Sequence, residues 1–131
     1  MSQDRLVLPI PPPDNHAYVS GVSIGPGGRP VVRRVRTRRN LDFQEEASWL
    51  AYGWCGRSGW SMPDHDDKVV LRYWVYWPDR RRRDPANLLK VLLDALEGVL
   101  YADDRTVLPR AMDYQVDRLD PRVEVDVSLF G

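Results

Sequence analysis

Residues 78–104 read PDRRRRDPANLLKVLLDALEGVLYADD and carry the clearest structural and chemical signals of the chain. Four consecutive arginines lead into Asp84, and two adjacent aspartates, Asp103 and Asp104, close the stretch. Carboxylates are the ligands that hard cations such as Mg²⁺ prefer, and the planar guanidinium of arginine pairs well with phosphate. The stretch therefore contains the residue types that a metal-dependent enzyme acting on phosphates would need.

The centre of this stretch has the spacing of a helix. Asp84 is a suitable N-cap, Pro85 suits the first helical position, and Gly98 marks the end. Apolar residues recur at helical spacing and form one stripe: Leu88, Leu89, Leu92, Leu93, Leu96 and Val99. Three polar residues share the opposite face: Asn87, Lys90 and Asp94. The sequence therefore predicts one helix over 85–98 with a polar face.

The residues after this helix are long enough to return to its beginning. A helix over 85–98 is about 21 Å long, at 1.5 Å per residue. Residues 99–104 reach at most about 20 Å when they are fully extended. The geometry therefore permits, without requiring it, one site made of Asp84, Asn87, Lys90 and Asp104.

These residues resemble a motif of the RusA-like Holliday-junction resolvases. The motif is Arg-Arg-Arg-Asp-x-x-Asn-x-x-Lys-x-x-x-Asp-Ala-Leu followed by Asp-Asp, and the resemblance is closest over 78–107. Residues 8–15, LPIPPPDN, with the later Tyr18, are similar to the family's opening Pro-Pro-Ser-x-Asn-x-x-Tyr. Residues 121–125, PRVEV, are similar to its last strand, whereas 20–68 match only in general.

The resemblance implies an activity and a partner. Family members are small, homodimeric, Mg²⁺-dependent endonucleases that act on four-way DNA junctions in recombination and repair, and phages and bacteria carry them. We therefore expect this chain to hydrolyse phosphodiesters in branched DNA as a homodimer, with Mg²⁺, or Mn²⁺ in its place, as the cofactor. A two-fold dimer presents two identical sites, which suits paired cuts in a junction.

The resemblance also implies roles for individual residues. Asp84 matches the first catalytic aspartate, Asn87 the family's asparagine, Lys90 its essential lysine and Asp104 its last catalytic aspartate. The metal ligands implied are Asp84, Asp104 and the neighbouring Asp103. The DNA-binding residues expected are Arg80, Arg81, Arg82, Arg83, Lys90 and Asn15.

One position departs from the family pattern. The family has a second catalytic aspartate where this chain has Ala86. Either this branch works with fewer acidic ligands, or the protein binds branched DNA with weak or no cleavage, or Ala86 was introduced to trap an inactive form. A structure-selective endonuclease and a branched-DNA-binding protein therefore both stay open.

Composition narrows the class of protein. With 131 residues, the chain is expected to form a single domain over 1–131. Its net charge is zero, but arginines cluster at 33–39 and again at 80–83. Cys55 is the only cysteine, so an intrachain disulfide is excluded, and no apolar run is long enough to be a signal core or a membrane span. The sequence predicts a soluble, cytoplasmic protein, and the family resemblance implies a bacterial or phage origin.

The remaining elements predict an α+β (mixed α/β) domain, with a mixed sheet of about four to five strands and two main helices. A second helix is predicted over 41–54, capped by Asn40, and Trp49, Trp54 and Trp60 are interpreted as core or interface residues. Residues 14–16 are predicted to form a polar turn, 21–30 a mobile loop or hairpin tip, and 56–67 a polar loop. The predicted strands are 6–10, 30–36, a central one over 68–77, one over 105–116 that Pro109 confines to an edge or bulge, and 122–130.

Overall fold

A computed structural model describes residues 4–131. In chain order the elements are strand β1 (Leu6–Leu8), helix α1 (Asp14–Ala17), strand β2 (Tyr18–Ile24), strand β3 (Pro30–Arg36), helix α2 (Arg38–Ser58), strand β4 (Val69–Trp77), helix α3 (Leu89–Leu96), strand β5 (Val107–Val116) and strand β6 (Arg122–Leu129). The mixed α/β class predicted from the sequence is confirmed.

A four-stranded mixed sheet forms the centre, with strands in the order β1-β6-β4-β5. Strand β4 is antiparallel to β6 and parallel to β5, which confirms its predicted central position. Strand β5 forms one edge, where Pro109 can lack an amide hydrogen without breaking a ladder on both sides. A register shift opposite Tyr73 and Trp74 adds a bulge to this pair.

The predicted helix over 85–98 is shorter and begins differently. Residues Pro85–Leu88 form a 3₁₀ turn, and α3 follows over Leu89–Leu96. The cap is confirmed, because Asp84 Oδ1 accepts a hydrogen bond from the Ala86 amide at 2.9 Å. The Asn87 amide donates to the Asp84 carbonyl three residues back, which is 3₁₀ geometry. Gly98, with φ of 85°, lies in the turn beyond the helix.

Helix α2 is longer than predicted and has a different cap. It begins at Arg38 and ends at Ser58, so part of the predicted loop at 56–67 is helical. Thr37 is the N-cap, and its Oγ1 accepts from the amide of Asn40 at 3.4 Å. Asn40 itself is buried, and its Nδ2 donates to the Ala17 carbonyl at 3.1 Å. Asn40 therefore ties α2 to α1 instead of capping the helix.

The Gly-rich region is the tip of a hairpin. Strands β2 and β3 pair only with each other, in a separate two-stranded sheet. Their tip, Pro26–Gly28, uses two glycines with φ near 74° and 73°, a conformation that other residues rarely adopt. We call the hairpin over 18–36 the arm. The predicted polar turn at 14–16 is the short helix α1, which leads directly into this arm.

One core joins the sheet to α2 and α3. Buried side chains on β4 and β6 meet those of α3, including Leu92 and Leu96, and those of α2, including Trp54. Trp60 packs against this core and donates from Nε1 to the Leu100 carbonyl at 3.0 Å, whereas Trp49 is 73% exposed. Within residues 4–131, no helix has the length and apolar character needed to cross a membrane.

Candidate active site

The polar face of α3 meets the first residue of the arm. The Lys90 Nζ lies 4.9 Å from the centroid of the Tyr18 ring, and the Tyr18 hydroxyl donates to Asp94 Oδ2 at 2.5 Å. The guanidinium of Arg34, on the paired strand, lies 4.9 Å from the same ring centroid. Burial raises the pKa of Tyr18 to about 12, and the bond to the Asp94 carboxylate adds to the shift. The phenol therefore keeps its proton at neutral pH and donates a hydrogen bond to Asp94.

Helix α1 brings a further carboxylate to this face. The Val91 amide donates to Asp14 Oδ1 at 3.4 Å. Burial raises the pKa of Asp14, while hydrogen bonds from the backbones of Val91 and Lys90 and the charge of Lys90 oppose that rise. Lys90 thus faces the aromatic ring of Tyr18 and lies near the negative charge of Asp14.

Three carboxylates converge next to this face. Oxygen atoms of Asp94, Glu97 and Asp104 all lie within 4.8 Å of one another. Burial raises the pKa of Glu97, and the nearby negative charges of Asp104, Asp103 and Asp94 raise it further. Oxygen donors at this spacing suit a hard divalent cation. We call this group the carboxylate cluster; within the part of the chain that the structure describes, it is the only such group of three.

The order of the strands explains which carboxylates meet. Because β4 and β5 are parallel, α3 must run back across the sheet between them, with Asp84 before the helix and Asp104 after it. Residues 99–104 do not return along α3; they turn beside its last residues, where Gly98 N donates to the Tyr101 carbonyl at 2.7 Å. Asp104 therefore joins Asp94 and Glu97.

The other two predicted metal ligands have protein partners. Asp103 Oδ2 accepts from Arg105 Nη2 at 2.8 Å and from its Nε at 3.0 Å, and these bonds lower the pKa of Asp103. Asp84 Oδ1 accepts the capping hydrogen bond from the Ala86 amide. Within one chain, the structure places Asp84 at the start of the 3₁₀ turn and Asp104 in the carboxylate cluster.

Asp84 borders a basic cleft of about 690 Å³. We call it the arginine cleft. Six of the site residues predicted from the sequence line it: Asn15, Arg81, Arg82, Arg83, Asp84 and Asn87. His16 and Arg39 also line the cleft, although the sequence did not single them out as site residues. Arg80 lies on a neighbouring depression beside β5. The predicted DNA-binding residues other than Lys90 and Arg80 thus border one cavity.

The arginine run has one fixed member and three exposed ones. Arg83 Nη1 donates to Asp79 Oδ1 at 2.7 Å, and its guanidinium lies 5.1 Å from the centroid of the Trp77 ring. This bond and one from the Arg81 amide lower the pKa of Asp79 to about 2. The side chains of Arg80, Arg81 and Arg82 are exposed. Arg83 therefore shapes the segment, while its neighbours present positive charge to solvent.

Three site residues had weak signals in the sequence. Tyr18 stood out only as part of the opening motif, and Asp94 only as a member of the polar face of α3. Glu97 follows Asp94 by three residues, a spacing that places both on one side of a helix. Nothing local to Tyr18 indicates that it would contact Asp94, which lies 76 residues further along the chain.

Comparison with protein-family models gives an independent identification. The model described as Endodeoxyribonuclease RusA matches residues 21–128, nearly the whole chain. The match includes Lys90, the carboxylate cluster and the arginine run, whereas the opening motif at 8–18 lies outside it. No curated protein sequence matches the chain. The extent of the family match shows that this chain belongs to the RusA family of endodeoxyribonucleases.

Proposed function

We propose that this protein is a divalent-cation-dependent endonuclease that resolves Holliday junctions by paired phosphodiester hydrolysis. The observation that carries the proposal is the convergence of Asp94, Glu97 and Asp104 beside Lys90, in a chain of an endodeoxyribonuclease family. Carboxylate oxygens can hold a hard cation, and a nearby ammonium can stabilise the charge that develops on a phosphodiester during hydrolysis.

Mg²⁺, or Mn²⁺ in its place, would be held by the carboxylate cluster. The three carboxylates fit a hard cation by donor type and by their mutual distances. When bound, such a cation lowers the pKa of a coordinated water and stabilises charge on a phosphate. Ligand roles for Asp84 and Asp103 stay predictions, and single asparagine variants test them.

Lys90 and Asn87 would act on the phosphate side of the reaction. Hydrolysis adds water across one P–O bond, and negative charge grows on the phosphate and on the leaving oxygen. The ammonium of Lys90 neutralises that charge. Asn87 lines the arginine cleft near Asp84, where its amide orients a ligand or a water.

The DNA path would combine the arginine cleft with the arm. The whole chain has a net charge of zero, but residues 15–41 contain six arginines and no acidic residue. These arginines lie on or next to the arm: Arg29, Arg33, Arg34, Arg36, Arg38 and Arg39. A basic surface of this kind binds the phosphate backbone by counterion release.

A homodimer would supply the second cut of a resolved junction. Two surfaces support it: the edge strand β5, where Met112 and Tyr114 are largely exposed, and the outer face of α2, where Trp49 and Tyr52 are exposed. Exposed aromatic and apolar groups of this size are typical of interfaces. Two-fold symmetry would then place two identical sites on one four-way junction.

A second candidate function is a branched-DNA-binding protein with weak or no cleavage. Ala86 favours it, because the family has a catalytic aspartate there. Ala86 is exposed, so an aspartate fits without displacing the core.

The test is a cleavage assay with Mg²⁺ on a synthetic four-way junction, with linear duplex of the same sequence as control. Cleavage of the junction, but not of the linear duplex, by the chain with Ala86 supports the proposal. Selective binding without cleavage, together with cleavage by Ala86→Asp, supports the second candidate. No preference for the junction in either assay would reject both.

A further inference from the structure

Tyr18 contacts two charged residues of α3, Lys90 and Asp94. Lys90 and Asp94 are one helical turn apart on α3, a spacing that allows a direct ion pair. Instead, the Tyr18 ring faces Lys90 and its hydroxyl bonds to Asp94. The ion pairs found within residues 4–131 do not include Lys90 with Asp94. Both charges therefore remain available to other partners.

The hydroxyl bond fixes the orientation of a carboxylate in the cluster. The terminal torsion of an aspartate is broad, so its two oxygens rotate unless a partner holds one of them. The 2.5 Å bond from Tyr18 engages Oδ2 of Asp94, whose carboxylate also belongs to the carboxylate cluster. Outer partners that hold a ligand in this way change metal affinity by about 10- to 100-fold.

The ring restrains the ammonium of Lys90. A lysine side chain has about 2 kcal/mol of rotamer entropy, so a defined position needs contacts along it. The ring of Tyr18, 4.9 Å from Nζ, supplies a cation–π contact, and Asp14 adds negative charge on the same side. This arrangement holds the Lys90 ammonium without bonding it to a cluster carboxylate.

We infer that Tyr18 is a positioning residue of the proposed site, which orients Asp94 for the cation and holds Lys90 for the phosphate. The inference rests on the proposed function. It gives the first residue of the arm a role in the chemistry, because Tyr18 begins β2 and pairs with Arg36 across the arm. It also separates two contributions of one side chain: the hydroxyl acts through Asp94, and the ring acts through Lys90.

The experiment separates these contributions with two variants. Tyr18→Phe removes the hydroxyl and keeps the ring, and Tyr18→Leu removes both. Tyr76→Phe, at a tyrosine on β4 whose ring centroid lies 3.8 Å from the Arg122 guanidinium, is the matched control. The readouts are the Mg²⁺ dependence of the melting temperature without DNA, and kcat and KM for junction cleavage across a Mg²⁺ titration. Far-UV circular dichroism confirms that each variant is folded.

We expect Tyr18→Phe to raise the Mg²⁺ concentration needed for half of the melting shift by about tenfold or more. Its KM for the junction should stay within about twofold of wild type, and excess Mg²⁺ should restore most of kcat. Tyr18→Leu should lose kcat in addition, and excess Mg²⁺ should not restore it, because Lys90 is no longer held. Tyr76→Phe should match wild type in every readout.

A double-mutant cycle identifies the pathway of the effect. If Tyr18 acts through Asp94, Tyr18→Phe should add nothing to the Mg²⁺ requirement of Asp94→Asn. Suppose that Tyr18→Phe lowers the melting temperature but leaves the Mg²⁺ requirement unchanged. Tyr18 would then have only a structural role, and the inference would be overturned. If wild type shows neither a Mg²⁺-dependent shift nor cleavage, the proposed function fails and the inference fails with it.

Discussion

Replacing Asp104 with asparagine should have opposite effects in the absence and presence of a divalent cation. The carboxylate oxygens of Asp94, Glu97 and Asp104 lie within 4.8 Å of one another. Two unit charges at that distance repel by about 0.9 kcal/mol in a water-like dielectric. Asparagine at position 104 removes two of the three repulsions, so the metal-free protein should gain roughly 1 kcal/mol after salt screening.

With the cation bound, the wild type should be more stable than Asp104→Asn. Mg²⁺ at a hundred times its Kd stabilises the native state by about 2.7 kcal/mol, which for a domain of this size raises the melting temperature by roughly 10 °C. Loss of one of three ligands should weaken binding by about a hundredfold, the upper limit for an outer-shell residue. At the same Mg²⁺ concentration the variant then keeps a shift of only about 2 °C.

The assay is thermal melting in EDTA and across a Mg²⁺ titration at constant ionic strength, with junction cleavage measured on the same samples. Glu46→Gln, an exposed substitution on α2, controls for the loss of one negative charge. Asp84→Asn distinguishes the two candidate ligand sets, and asparagine keeps the capacity to cap. A reduced shift only in Asp104→Asn supports the carboxylate cluster, and a reduced shift in both variants supports a shared Asp84–Asp104 site.

The reasoning is refuted if Asp104→Asn melts at or below the wild-type temperature in EDTA and still shows the full Mg²⁺ shift. That result would mean that the three carboxylates neither repel one another measurably nor bind the cation. Continued cleavage by this variant would in addition place the active centre elsewhere in the chain.

Four further predictions concern the metal, the DNA, the assembly and the arginine run. Ala86→Asp should raise junction cleavage and tighten Mg²⁺ binding; cleavage equal to that of the chain with Ala86 would remove Ala86 as a cause of weak activity. Reversing the charges of Arg81 and Arg82 should weaken junction binding and reduce the slope of log affinity against log salt by about 1.8, with unchanged melting; unaltered affinity would exclude both residues from the DNA path. Sedimentation at micromolar concentration should give a dimer, and a monomer would contradict the proposed assembly. NMR titration should give Asp79 a pKa of about 2, and this pKa should rise toward its ordinary value in Arg83→Gln. Because folding lowers the pKa of Asp79, its contribution to the stability of the fold is present at pH values above the ordinary pKa. That contribution is lost as the pH falls through about 2.

Local features of the fold could be predicted because neighbouring residues encode them. The β-branched and aromatic run of β4 identified a central strand, and the leucines of α3 identified its buried face. The cap at Asp84 was predictable as well, since it depends on residues two positions apart. The first turn after Pro85 was less predictable, because 3₁₀ and α turns have similar sequences. The start of α2 was less predictable because Thr37 and Asn40, three residues apart, are both suitable N-caps.

The candidate site could be predicted only in part. Its residue types and its association with 78–104 followed from the order of charges along the chain. The number of residues between Asp84 and Asp104 sets only how far the chain can extend, and not the direction in which it turns. The sequence therefore allowed Asp104 to reach Asp84 without predicting which residues it would meet. The structure brings Asp104 to Asp94 and Glu97.

The amino-acid sequence by itself determined the main strands, the polar and apolar faces of α3, and the two groups of charges, because each depends on periodicity or composition within a short segment. Tertiary structure alone decided which charges meet. The parallel pairing of β4 with β5 makes α3 run back across the sheet. The residues that lead into β5, including Asp104, therefore lie beside the last turn of α3. The packing of α1 against α3 brings Tyr18 to Lys90 and Asp94, a contact between residues far apart in the chain that no local pattern specifies.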